Sequence, residues 1–205
     1  MIELLHAAVL FRDTDPVETE RLVTELRGLA WVADLGRMEN PDIPWWYIVV
    51  DEDPFLLRTE TVEKVKAFSD RKPLLFFVSA DDYFPDDEET VTDIDSGSLT
   101  GLGWGYRLFY QTQEQSRVMF SHQWPSYGDV LKQLLETALT KCDPDKFALF
   151  ELNETRLNSV KALFDAGVLL KRLTGSDTLE DIERDFARLL GIEADFLGED
   201  NENMG

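Results

Sequence analysis

The run PLLFFVSA, residues 73–80, constrains this chain more than any other stretch. It is apolar at every position from Leu74 to Val78, so both faces of a strand here must be covered. A chain that has to bury such a strand needs a sheet with further elements packed on it, and the flanking sequence supplies them. ELLHAAVLF (3–11) and WWYIVV (45–50) are also β-rich, and WVADLGRM (31–38) carries a weaker strand signal. Between them lie two amphipathic patterns. In 17–30, Val17, Leu22, Leu26 and Leu29 recur at helical spacing, with Asp15 as the expected N-cap and Pro16 at the first helical position. TETVEKVKAF (59–68) predicts a second helix.

The first eighty residues therefore read β-α-β-β-α-β, the ferredoxin-like, split βαβ order. Without the weak strand at 31–38, a parallel flavodoxin-like sheet fits equally well. The second half predicts a β-hairpin, with strands at 99–112 and 116–124 around a turn at 113–115. Alternating helix and strand come next: a helix over 125–141, a strand over 146–152, a helix over 153–167 capped by Asn153, and a strand over 168–173. A C-terminal helix over 176–191, capped by Ser176, ends the pattern. The fold class expected is α/β in the mixed, α+β sense. The expected division is an α/β half at 1–80, an acidic loop or linker at 81–98, a second α/β half at 99–191 and an acidic tail at 192–205, with a single domain as the alternative.

The apolar strand gives way to its chemical opposite. Eight of the fifteen residues from Asp81 to Asp95 are acidic and none is basic. The chain carries 41 acids against 20 bases, a net charge of −21. The excess is uneven: net −6 over 1–80, −8 over 81–95, +1 over 96–175 and −8 over 176–205. Such a charge disfavours phosphate backbones and anionic membranes and attracts basic proteins. Tyr83 and Phe84 inside the acidic frame offer contact area suited to a basic, partly apolar surface. The partner-binding residues expected are Asp81, Asp82, Tyr83, Phe84, Asp86, Asp87, Glu88, Glu89, Asp93 and Asp95. The simpler alternative is a solvated loop that keeps the protein soluble.

Other chemistry finds weaker support. DIDSGS lacks the third acid and the closing glutamate of an EF-hand loop, and two histidines with one cysteine give no zinc spacing. Gly101, Gly103 and Gly105 miss the dinucleotide fingerprint by one position and by context, which favours a bulged strand instead. Ser121 and His122 are strand neighbours facing opposite ways, His6 reads as a core histidine, and Cys142 lies in acidic surroundings that raise its pKa. No catalytic residues, metal site or cofactor are assigned.

The sequence thus points to a non-enzymatic protein that docks on a basic partner, such as a nuclease or another nucleic-acid-binding protein. By analogy of charge alone, immunity proteins, antitoxins and phage inhibitors act this way. The alternative is an enzyme or small-ligand regulator with Asp51, Asp81 and Asp82 converging at strand ends, around Mg²⁺ if their strands are neighbours. A homodimer joined through an edge strand is a third reading. The single cysteine and the absence of a signal-peptide pattern lead to an expectation of a cytoplasmic protein.

Overall fold

The computed structural model describes residues 5–29, 32–38, 44–50, 63, 66–80, 92–94, 97–98, 102–121, 124–125 and 128–192. Its strands are β1 (Leu5–Arg12), β2 (Val32–Arg37), β3 (Trp45–Val50), β4 (Leu74–Ala80), β5 (Thr92–Ile94), β6 (Gly97–Ser98), β7 (Leu102–Tyr110) and β8 (Gln113–Ser121). Its helices are α1 (Pro16–Leu26), α2 (Gly128–Ala138), α3 (Glu154–Leu163), α4 (Ala166–Leu173) and α5 (Leu179–Leu190). Two 3₁₀ segments, Leu139–Lys141 and Pro144–Phe150, join α2 to α3. Residues 66–68, the described end of the second predicted helix, are helical.

Six strands form one antiparallel sheet in the order β2-β3-β1-β4-β7-β8. The first four are arranged as the split βαβ reading requires, and the weak strand at 31–38 is the real edge strand β2. The parallel flavodoxin-like alternative does not hold, because β1 runs antiparallel to both β3 and β4. The hairpin β7–β8 continues the sheet beyond β4, so pairing crosses from the first half into the second.

Helices cover both faces, which explains why β4 carries almost no polar residue. On one face α1 packs Leu22, Val23 and Leu26 over Val9, Phe11, Ile48, Phe76 and Val78. Asp15 caps this helix as expected, its carboxylate accepting from Val17 N at 3.0 Å and Glu18 N at 3.2 Å. The other face holds the larger core, built from α2 to α5 over Leu10, Trp45, Phe77, Trp104, Tyr106 and Phe120. Phe186 of α5 lies at its centre, with ring centroids 5.4 Å from Trp104, Tyr106 and Phe164 and 5.5 Å from Phe147.

Two predicted strands are helical instead. Residues 146–152 fall largely in the 3₁₀ segment Pro144–Phe150: Asp143 caps it by accepting from Asp145 N at 3.2 Å, Pro144 begins it, and Phe147 and Phe150, three apart, both face the core. Residues 168–173 lie in α4, whose N-cap Asp165 accepts from Val168 N at 2.9 Å. A short apolar run has no period long enough to separate strand from helix, and in both cases the cap decides. The last helix is capped by Thr178 rather than Ser176, through a reciprocal box with Asp181. The hairpin turn sits at Gln111 and Thr112, whose φ angles of 51° and 58° are left-handed; a two-residue turn of this kind matches strand twist.

Candidate functional site

Strand direction decides where the charge goes. β3 and β4 both run antiparallel to β1, so their C-terminal ends lie at one end of the sheet. The two acidic runs that begin at Asp51 and at Asp81 continue directly from those ends. They are not neighbours: β1 lies between the strands, so the exits are two strand spacings apart, roughly 10 Å. That separation removes the side-by-side condition on which the Mg²⁺ reading depended. The chain returns to the sheet at the same end, where Leu102 of β7 pairs with Ser121 of β8.

The first acids of the second block reach this end by a different route. Trp104, fully buried on β7 opposite Ser79, donates its indole N–H to the Leu179 carbonyl at 3.0 Å. Trp45, at the far end of the sheet, donates to the Leu190 carbonyl at 2.8 Å. The two indoles therefore pin the two ends of α5 diagonally across the sheet. The N-terminus of α5, with Asp177, Glu180 and Asp181, comes to the end where β4 stops and the segment 81–95 starts. The first acids of the block 176–205 thus lie at the end of the sheet from which the net −8 segment 81–95 continues, whereas the block's last five acids follow Leu190 at the far end.

A cavity of about 310 Å³ opens here between β8, α2, α4 and the start of α5. Trp124, Leu131 and Leu173 give it apolar walls; Asp177, Glu180, Ser121 and Thr178 supply its polar lining. Asp177 is held in place by Arg172, whose Nε donates to Oδ2 at 2.5 Å while Nη2 donates to Asp185 at 2.7 Å.

The opposite end of the sheet is built differently. Arg12, closing β1, donates to the Phe150 carbonyl and, at 3.0 Å, to that of Glu151, tying the first strand to the helical layer. Lys72 is 5% exposed and donates to Thr19 Oγ1 at 2.7 Å. Burial lowers its pKa, and Asp13, Asp15, Glu18 and Glu151 oppose that shift. Arg37 pairs with Asp13 at 3.7 Å. The bonds of Arg12, Lys72 and Arg37 each join one element to another, so these cations read as structural.

Of the expected partner-binding residues, Asp81, Asp82, Tyr83, Phe84, Asp86, Asp87, Glu88, Glu89 and Asp95 lie outside the described residues, as does Asp51. Asp93 is on β5, between the pairs Thr92–Ser98 and Ile94–Gly97. Arg107 is engaged by Glu114, its Nε donating at 2.7 Å, and stands 5.2 Å from the Phe109 ring. The role of Trp124, Asp177 and Glu180 in lining a cavity was not legible in sequence; the only signal was the charge of the block 176–205. Cys142 is free, and its thiol is pushed up to about 11 by burial. Among the described residues no group of three or more His, Cys, Asp or Glu side chains could hold a metal ion, and no helix is long and apolar enough to cross a membrane.

In comparisons with family models, curated proteins and solved structures, the chain matches none of them.

Proposed function

We propose that this is a non-enzymatic binding protein that docks its acidic end on a basic surface of another protein, in a reducing compartment such as the cytoplasm. The observation that carries the reading is that the net −8 segment 81–95 continues from the end of β4, the same end of the sheet to which Trp104 fixes the start of α5 with Asp177, Glu180 and Asp181. A field concentrated on one end orients a basic partner and speeds its approach; a uniform excess would only keep molecules apart. Nucleases and other nucleic-acid-binding proteins are the natural partner class, because their own ligand selects for a basic face. Blocking that face would make this chain an inhibitor.

Affinity capture at low salt, with elution by a salt gradient, tests the reading. The control carries Asp86→Asn, Asp87→Asn, Glu88→Gln and Glu89→Gln. A basic protein held by the native chain, released by salt and lost with the control is the expected result. Retention unchanged in the control would remove the acidic segment from the function.

A further inference from the structure

At the opposite end of the sheet from the docking surface, we propose that Arg12 and Arg156 form a seat for the phosphate group of a small molecule. Arg12 uses only part of its guanidinium to hold the fold: Nη1 donates to the carbonyls of Phe150 and Glu151. Its Nε is buried and has no hydrogen-bond partner, and the same is true of Nη1 of Arg156. A short connection brings the two side chains together. Two residues after Glu151 comes Asn153, the N-cap of α3, whose side chain accepts from Arg156 N at 2.9 Å. Burial lowers the pKa of Arg12; the charge of Glu151 opposes this and the charge of Arg156 adds to it, so the two guanidiniums stand within each other's field.

Two neighbouring cations, each with an unpaired donor, stand out in a chain with 41 acids. A buried charged N–H without a partner is destabilising, and a like charge beside it adds to the cost. Glu151 attracts Arg12 by its charge but reaches it through its backbone carbonyl. An occupant that answers both groups accepts from two N–H donors and carries negative charge. Water accepts, but leaves the two positive charges opposed. A carboxylate brings a single charge. A phosphate monoester brings about −1.5 to −2 at pH 7 and three acceptor oxygens, which match two guanidinium forks. A nucleic-acid backbone carries the same group, but a net charge of −21 repels a long polyanion, which leaves a small molecule.

Titration of the full chain with sodium phosphate, and separately with sodium acetate, at matched ionic strength tests this, read from the arginine Nε–H signals in ¹H–¹⁵N spectra. Arg156→Gln removes one donor group; its backbone spectrum without phosphate verifies that the variant is folded, and the acetate comparison needs no variant. Arg21→Gln, exposed on α1, removes a positive charge elsewhere. The expected result is saturable phosphate binding that moves the Arg12 Nε–H signal and is tighter than acetate binding. Arg156→Gln should weaken it roughly 10-fold or more and Arg21→Gln less than about 2-fold, as for a buried charge-assisted bond against an exposed charge. Absence of saturable binding to the native chain, equal weakening by the two variants, or acetate binding as tight as phosphate would each overturn the seat. None of these outcomes bears on the docking reading, which concerns the other end of the sheet.

Discussion

Gly105 shows how tightly the two strands of the hairpin approach. A Cβ at this position would collide with Met119 Sδ and come within 2.5 Å of the Val118 carbonyl oxygen, so the strand register tolerates only a hydrogen here. Gly105→Ala is expected to cost about 1–3 kcal/mol in urea unfolding, as overpacking of a close-packed site does. Cys142 gives a second residue-scale test. Its thiol titrates near 11 instead of 9.0, because burial disfavours the thiolate. At pH 8 roughly one molecule in a thousand is then the reactive anion, so alkylation should be slow and should accelerate through pH 11. The native state holds this proton more tightly than the unfolded chain does. Its contribution to stability is therefore complete below pH 9.0 and is lost as pH rises towards about 11. Lys72 acts in the opposite sense: burial lowers its pKa from 10.5, so stability rises as pH climbs through the lowered value towards 10.5. Unfolding of Cys142→Ala and Lys72→Met across the alkaline range should separate the two slopes. A Lys72→Met variant with an unchanged pH dependence would contradict the buried-cation account.

The turn at Gln111–Thr112 depends on one serine. Ser69, fully buried, receives the Gln111 N–H on its carbonyl at 2.8 Å and the Thr112 N–H on Oγ at 3.1 Å, while its hydroxyl donates to the Lys66 carbonyl at 2.7 Å. The helix end before β4 and the hairpin tip are joined through that side chain. Ser69→Ala removes the acceptor of the Thr112 N–H and is expected to cost about 0.5–1.5 kcal/mol, the net worth of a hydrogen bond. Replacing Gln111–Thr112 by Asn-Gly, which adopts left-handed φ at lower cost, is expected to be stabilising in the same assay. Elements with a period or a defined cap were legible in the sequence: α1 from Asp15 and Pro16, α3 from Asn153, and β3 and β4 from their composition. The stretches 146–152 and 168–173 were not, because Phe147 and Phe150 or Leu169 and Leu173 satisfy a strand count and a helical count over so few residues. Long-range hydrogen bonds such as those of Ser69 have no local signature at all.

At the scale of the molecule, strand direction explains why the acidic runs that follow β3 and β4 leave from one end of the sheet. The split βαβ core puts the ends of β3 and β4 at one end of the sheet, on either side of β1, and the hairpin adds a surface on which α5 can lie. Phe186 fixes that helix from its middle, as Trp45 and Trp104 do from its ends. Phe186→Ala should remove about 3–5 kcal/mol, because the rings of Trp104, Tyr106, Phe147 and Phe164 close on it from several sides. Sequence revealed the two acidic blocks but not that the start of the second lies at the end of the sheet where β4 stops, since that depends on the Trp104 indole reaching Leu179 across 75 residues. It also gave no sign that Trp124 and Glu180 share a cavity. The most direct test of the account is a map of backbone amide shifts in ¹H–¹⁵N spectra during titration with acetyl-(Arg)₆-amide at low salt. Shifts confined to Ser121, Trp124, Thr178 to Asp181 and the segment 81–95, and reversed by salt, are the expected result. Shifts spread evenly over the surface, or centred on Arg12, Thr19 and Glu151, would contradict an acidic docking end.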